Sequence, residues 1–199
     1  ADKSYAELQL RCFEAVLHDF SQAGIDAGIR HIANSAAILD LPQSYYDMVR
    51  PGIMLYGLYP SKEVTHSITL EPAMTLVTKV IAIKAVPAGT SISYGRTFIT
   101  TKKETIIATL PLGYGDGLSR LLSNKAEVLI RNKRAPLVGT ICMDMCMVDV
   151  SSVKEVKCGD QVIIFGKDPS VDELAEKIGT INYEVTCNVS KRVPRVYSQ

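Results

Sequence analysis

Over residues 1–24 the apolar side chains recur every three or four positions. Leu10, Phe13, Val16, Leu17 and Phe20 fall on one stripe of a helix. Ser4-Tyr5-Ala6-Glu7 has the form of a capping box that would open it, and Gly24 is a stop signal. The pattern then predicts a short strand at residues 30–32 and a small helix over 34–39, ended by Asp40-Leu41-Pro42. A second strand-like run follows at 49–56, interrupted by Pro51-Gly52. Helix, strand, helix, strand is the rhythm of a parallel (β/α)8 barrel. Only about two of the eight units are present, so residues 1–69 cannot close such a barrel by themselves.

Near residue 70 the periodicity changes to alternation. Residues 74–86 are rich in β-branched side chains and end at the turn Pro87-Ala88-Gly89. Short strands are predicted at 97–101, 105–110, 127–130, 134–138, 146–150 and 161–165, with a hairpin turn at Asn132-Lys133. Ser170-Val171-Asp172-Glu173 is a second capping box, for a helix that stops at Gly179. Residues 181–189 read as another helix and 193–197 as a closing strand. The fold class expected is therefore a mainly β, barrel-like C-terminal domain with two short helices over 70–199, preceded by the last βα units of a (β/α)8 barrel.

Composition narrows the function. The apolar fraction of 47% in 199 residues supports a real core. A net charge of +1 with interspersed signs, four Phe and no Trp argue against a nucleic-acid binder or a membrane-surface partner. No apolar run reaches the length of a membrane span, and residues 1–15 read as an amphipathic helix rather than a signal peptide. Five scattered cysteines fit free thiols in a reducing cytoplasm, and Cys142-x3-Cys146 lacks the second ligand pair that a zinc site needs.

Four segments carry candidate chemistry. In His31-Ile32-Ala33-Asn34-Ser35-Ala36, free N–H groups and a hydroxyl at a helix start suit an anion, a phosphate above all, although plain helix capping explains them as well. In Met48-Val49-Arg50-Pro51-Gly52-Ile53, an arginine at the end of a barrel strand faces the active-site end of that fold. Ser93-Tyr94-Gly95-Arg96-Thr97 offers a phenol with room beside it. The fourth is a pair, Leu110-Pro111-Leu112-Gly113-Tyr114-Gly115-Asp116-Gly117 and Val138-Gly139-Thr140-Ile141-Cys142-Met143-Asp144, whose first member can press backbone against a ligand.

Taken in order and spacing, these segments together with Ile181-Asn182-Tyr183-Glu184 resemble the alanine racemase family, and the resemblance covers essentially the whole chain. It implies a bacterial enzyme dependent on pyridoxal 5'-phosphate. The enzyme interconverts L- and D-alanine for cell-wall peptidoglycan, using one lysine and one tyrosine as bases on opposite faces of the α-carbon. On this likeness Tyr94 is the catalytic tyrosine. Arg50 faces the pyridine nitrogen and His31 orients it. Ser35, Gly52, Ile53 and Tyr183 hold the phosphate, while Tyr114 and Met143 line the substrate entrance and carboxylate pocket.

The likeness also implies a cytoplasmic, head-to-tail homodimer. Tyr94, Tyr114 and Met143 would serve the partner's cofactor, and Arg50, Ser35 and Tyr183 the chain's own. The chain would be the C-terminal portion of such an enzyme, because no lysine from Lys3 to Lys191 stands in the family's cofactor motif. A chain without that lysine is expected to be inactive alone. Thr140 stands where many members carry arginine, and Phe98 where many carry tyrosine. A serine or broad-specificity racemase of the same family, or a free-standing β-domain acting as a dimerisation module, are the competing readings.

Overall fold

The alternating run after residue 74 feeds two different sheets in the computed structural model, which describes residues 3–197. Strand β1 (Leu76–Lys79) and strand β2 (Ala82–Pro87) are separated by Val80, which is buried, and Ile81, which is exposed. β1 pairs with β9 (Gln161–Phe165), and β9 also pairs with β6 (Glu127–Ile130), which pairs with β7 (Lys133–Pro136). β2 pairs with β5 (Glu104–Leu110), and β5 with β8 (Cys146–Asp149). All of these pairings are antiparallel. A bridge between Leu137 and Val148 joins the far edges of the two sheets. With β1 and β2 continuous on the other side, the ladder runs round into a barrel-like wall with few free edges.

Alternation decides which side chains fill that wall. Val128 and Ile130 of β6 and Val162 and Ile164 of β9 point inward and are essentially inaccessible. Leu110, Val148, Phe165 and Leu174 add the larger buried volumes. The β6–β7 hairpin turns through Arg131 (φ 50°) and Asn132 (φ 60°), two consecutive left-handed residues. That is the pair of angles a two-residue turn needs to match strand twist. A smaller ribbon, β3 (Ser91–Ile92) with β4 (Phe98–Ile99), covers Val86, Ile107 and Val138 and carries the turn Tyr94–Arg96 at its tip.

Two helices follow the barrel. Helix α3 (Val171–Ile178) starts as its capping box predicts, with the Gly-like stop also in place: the Ser170 Oγ accepts from the Glu173 N–H at 3.1 Å, and Gly179 leaves at φ 71°. Helix α4 spans Asn182–Cys187, inside the predicted 181–189. The predicted strand at 193–197 does not form. Pro194 has no N–H to give, and Arg195 takes up the carbonyls of Val189, Ser190 and Val193 instead.

Contacts divide the chain into two units between Ala73 and Met74. The first unit has α1 (Ser4–Gln22), α2 (Ser35–Asp40) and a 3-10 turn at Ile53–Tyr56, and no strand among its described residues. Helix α1 begins one residue earlier than its capping box implied, with Lys3 in the capping position. The predicted strands at 30–32 and 49–56 are corrected to irregular chain and that 3-10 turn. The two segments still run side by side. The Arg30 carbonyl accepts from the Asp47 N–H at 3.1 Å and the Ala33 carbonyl from the Arg50 N–H at 2.9 Å. Two such bonds are too few to hold a parallel ladder, which needs flanking strands on both sides.

Candidate active site

In the second unit, Tyr94, Tyr114 and Met143 line one open cleft of about 460 Å³. Backbone conformation aims Tyr94 outward. Ser93 (φ 63°, ψ −174°), Gly95 (φ 72°) and Arg96 (φ 50°) all occupy the left-handed half of backbone space, a sparsely populated arrangement for Ser93 in particular. The turn is held from below. The Ser93 hydroxyl donates to the Thr140 carbonyl at 2.5 Å, and the Thr140 hydroxyl donates to the Tyr94 carbonyl at 2.9 Å. The Tyr94 side chain itself is left 74% exposed.

Tyr114 and Met143 sit on two loops pressed backbone to backbone. Tyr114 N–H donates to the Cys142 carbonyl at 3.0 Å and Gly115 N–H to the Met143 carbonyl at 2.9 Å. The glycines expected to let backbone approach a ligand instead make room for the chain's own backbone. A Cβ on Gly113 would lie 2.2 Å from the Cys142 oxygen, and one on Gly117 2.2 Å from the Asn188 oxygen. Asp116 Oδ2 accepts from the Gly113 N–H at 2.8 Å, and its other oxygen accepts from Arg192 Nε, also at 2.8 Å.

In the first unit, the Ser35 Oγ is buried and accepts from the Gly52 N–H at 2.9 Å. That bond ties the start of α2 to the start of the Ile53–Tyr56 turn, so two sets of helix-end N–H groups lie near one hydroxyl. Asn34 caps α2 by accepting from Ala37 N–H at 3.0 Å. Arg50 is exposed and donates through Nη2 to the Ile32 carbonyl at 3.2 Å. The expected bond from His31 to Arg50 is absent among the described residues: the neighbouring carbonyl takes the guanidinium, and His31 lies exposed beside it. Tyr183, on α4 of the second unit, is half-buried, and that burial raises its phenol pKa.

The family model for the alanine racemase C-terminal domain matches residues 73–197, and that for the alanine racemase N-terminal domain matches residues 1–60. The chain belongs to the alanine racemase family. The alanine racemase of Desulforamulus reducens is 55% identical over 98% of this chain and 53% of its own length, and that of Methanococcus maripaludis 53% identical over 99% and 54%. Among solved structures, alanine racemase of Clostridium difficile 630 superposes with a TM-score of 0.94 at 42% identity, over 99% of this chain and 52% of that one. Alanine racemase from Bacillus anthracis with bound L-Ala-P gives 0.93 at 40%, over 100% and 52%. The chain thus spans about half the length of the racemases it matches.

Three further features of the chain bear on its site. Thr140, noted in the sequence as standing where many members of the resembled family carry arginine, is only 6% exposed and presents no charge to the cleft. The Ser35 hydroxyl, with the N–H groups of Gly52 and Met54 beside it, is a donor set whose chemistry fits a phosphate group. Sequence reasoning missed the part played by Asp116, Asp144 and Arg192. Asp116 had a weak local signal, standing three residues after Gly113 where it can cap the turn. Arg192 had none, because its partners are 48 and 76 residues away. Among the described residues no helix is long and apolar enough to cross a membrane.

Proposed function

We propose that this chain is the C-terminal half of a pyridoxal-phosphate-dependent alanine racemase, and that Tyr94 is the base for one face of the substrate. The observation that carries the reading is the convergence of Tyr94, Tyr114 and Met143 on one open cleft. These three residues come from three separate segments that the resemblance had already singled out.

Inversion at carbon needs a proton removed from one side and returned on the other. When bound, pyridoxal phosphate supplies an electron sink that makes the α-carbon acidic. The Tyr94 phenol would take or return that proton at its Oη, which its exposure leaves accessible. Ser35, Gly52, Ile53 and Tyr183 would bind the phosphate, and Arg50 would face the pyridine nitrogen. A guanidinium keeps its proton, so that nitrogen stays unprotonated and less charge spreads into the ring. His31 would orient Arg50 in the complete enzyme. Tyr114 and Met143 would bound the entrance and seat the substrate carboxylate.

The lysine for the opposite face is not among this chain's lysines in the family's motif context. The 199-residue polypeptide is therefore proposed to be inactive alone. The functional unit is a head-to-tail homodimer of the longer enzyme, in which the exposed Tyr94 cleft meets the partner's cofactor. Alanine is the substrate, and D-alanine for the cell wall the product. Tyr94→Phe in the complete enzyme should lower turnover by about 10²–10⁴-fold, the usual worth of a positioned acid–base group. Turnover within tenfold of wild type would remove Tyr94 from the mechanism. Rates with L-serine and L-alanine side by side separate this reading from a serine racemase.

A further inference from the structure

We propose that Arg192 is a positioning residue that sets the width of the Tyr94 cleft by holding together the two loops that carry Tyr114 and Met143. Its consequence for catalysis rests on the racemase reading above; the clamp itself rests on geometry.

The two loops have separate origins. Residues 113–117 follow β5 and residues 142–145 precede β8; the strands pair as far as Leu110 and Cys146, and beyond that pair the loops meet through the two backbone hydrogen bonds from Tyr114 and Gly115 and through Arg192. Arg192 reaches both. Its Nε donates to Asp116 Oδ1 at 2.8 Å and its Nη2 to Asp144 Oδ1 at 2.7 Å, with the Met143 carbonyl 3.5 Å from the same Nη2. Asp116 passes the restraint on, because its second oxygen accepts from the Gly113 N–H at 2.8 Å. Gly115 leaves the space: a Cβ there would stand 2.6 Å from Arg192 Nη2. The planar fork of the guanidinium is what allows two carboxylates on different loops to be held at a fixed separation. A lysine ammonium is a point charge without that geometry.

The arm to Asp144 adds little to folding, since the Arg192 and Asp144 side chains are 46% and 60% exposed and exposed ion pairs are weak; the arm to Asp116, only 15% exposed, is the stronger anchor. What the clamp fixes is position, in a cleft whose Tyr114 and Met143 have no other ion pair holding their loops among the described residues.

The test has two arms. In the 199-residue chain, Arg192→Gln should speed amide exchange at Tyr114 and Gly115 by about tenfold while the urea midpoint stays put. Arg192→Lys should fall between, because it can hold one carboxylate. In the complete racemase, Arg192→Gln should raise KM for alanine by about tenfold with little change in kcat or in its pH profile, since Tyr94 stands on a separate turn. Unchanged exchange at residues 114 and 115 would overturn the proposal. So would a fall in the urea midpoint with KM unmoved, the signature of a plain structural staple. If Tyr94→Phe leaves racemisation intact, the racemase reading fails, yet the exchange arm still decides whether the clamp exists.

Discussion

Gly113→Ala isolates the contact between the two cleft loops. Gly113 sits at φ −147°, ψ −163°, extended backbone that alanine adopts freely, so the substitution adds no conformational strain of its own. The cost is space. The new Cβ would lie 2.2 Å from the Cys142 oxygen, 2.3 Å from the Met143 oxygen and 2.5 Å from the Met143 carbonyl carbon, all of them backbone atoms that no rotamer change can move. Ordinary contact would require the loops to part by about 1 Å, an overpacking cost of about 1–3 kcal/mol. That displacement breaks the Tyr114–Cys142 and Gly115–Met143 hydrogen bonds, now 3.0 and 2.9 Å, at about 1 kcal/mol each. The expected loss is about 3–5 kcal/mol, or a fall in Tm of about 6–20 °C for a chain of this size. Thermal and urea unfolding followed by near-ultraviolet circular dichroism, which reads the packed tyrosines, measures it. Gly89→Ala is the control, with a positive φ of 81° but nothing within 4 Å of its Cβ, and should cost about 1–2 kcal/mol. A Gly113→Ala chain no less stable than Gly89→Ala would show that the loops are not in close contact.

Glu173 offers a pH test. The hydrogen bonds from Arg134, outweighing burial, hold its carboxyl below the ordinary value. The folded form therefore binds fewer protons than the unfolded one, so this stabilisation is complete above the unfolded pKa near ~4.5 and is lost as pH falls through the lowered folded value. Acid titration of stability below about pH 5 should become shallower in Glu173→Gln; an unchanged acid limb would assign the effect to another group. Cys146 is buried, and burial pushes its thiol up to about 12. Iodoacetamide at pH 8 should label the exposed Cys12, Cys158 and Cys187 and leave Cys146 unmodified until urea unfolds the domain, as read by peptide mass. Rapid native labelling of Cys146 would contradict its burial.

What could be read from the sequence divides by range. The β6–β7 turn was legible to within one residue, falling at Arg131-Asn132 rather than Asn132-Lys133, and the start of α3 at Ser170 was legible outright, because both are settled within four residues, by left-handed backbone at the turn and by a hydroxyl reaching the Glu173 N–H at the cap. The opening of α1 was misplaced by one residue because Ser4 and Glu7 match the pattern equally well one position into the helix. The segments 30–32 and 49–56 have strand-like composition, but a parallel strand is made by neighbours, and the described residues supply only one another. At 193–197 the alternation was outweighed by Pro194 and by the reach of Arg195 to three upstream carbonyls, neither of which periodicity registers.

The same division explains the site. Tyr94, Tyr114 and Met143 announce themselves because each lies in a glycine-bearing motif; the left-handed turn demands Gly95 locally, whereas Gly113 is demanded by the oxygens of Cys142 and Met143 on another loop. Their grouping into one cleft is not local, and it depends on Thr140 and Arg192. Thr140 spends its hydroxyl on the Tyr94 carbonyl, 46 residues away, and Arg192 spends its guanidinium on two carboxylates of different loops. Thr140 lies inside the Val138–Asp144 motif but is marked there only as a departure from it, Arg192 stands in none of the motifs, and each side chain is engaged by the fold. A candidate tyrosine can be singled out from a pentapeptide, but what holds it beside Tyr114 and Met143 is written in residues marked chiefly by whom they touch in the folded chain.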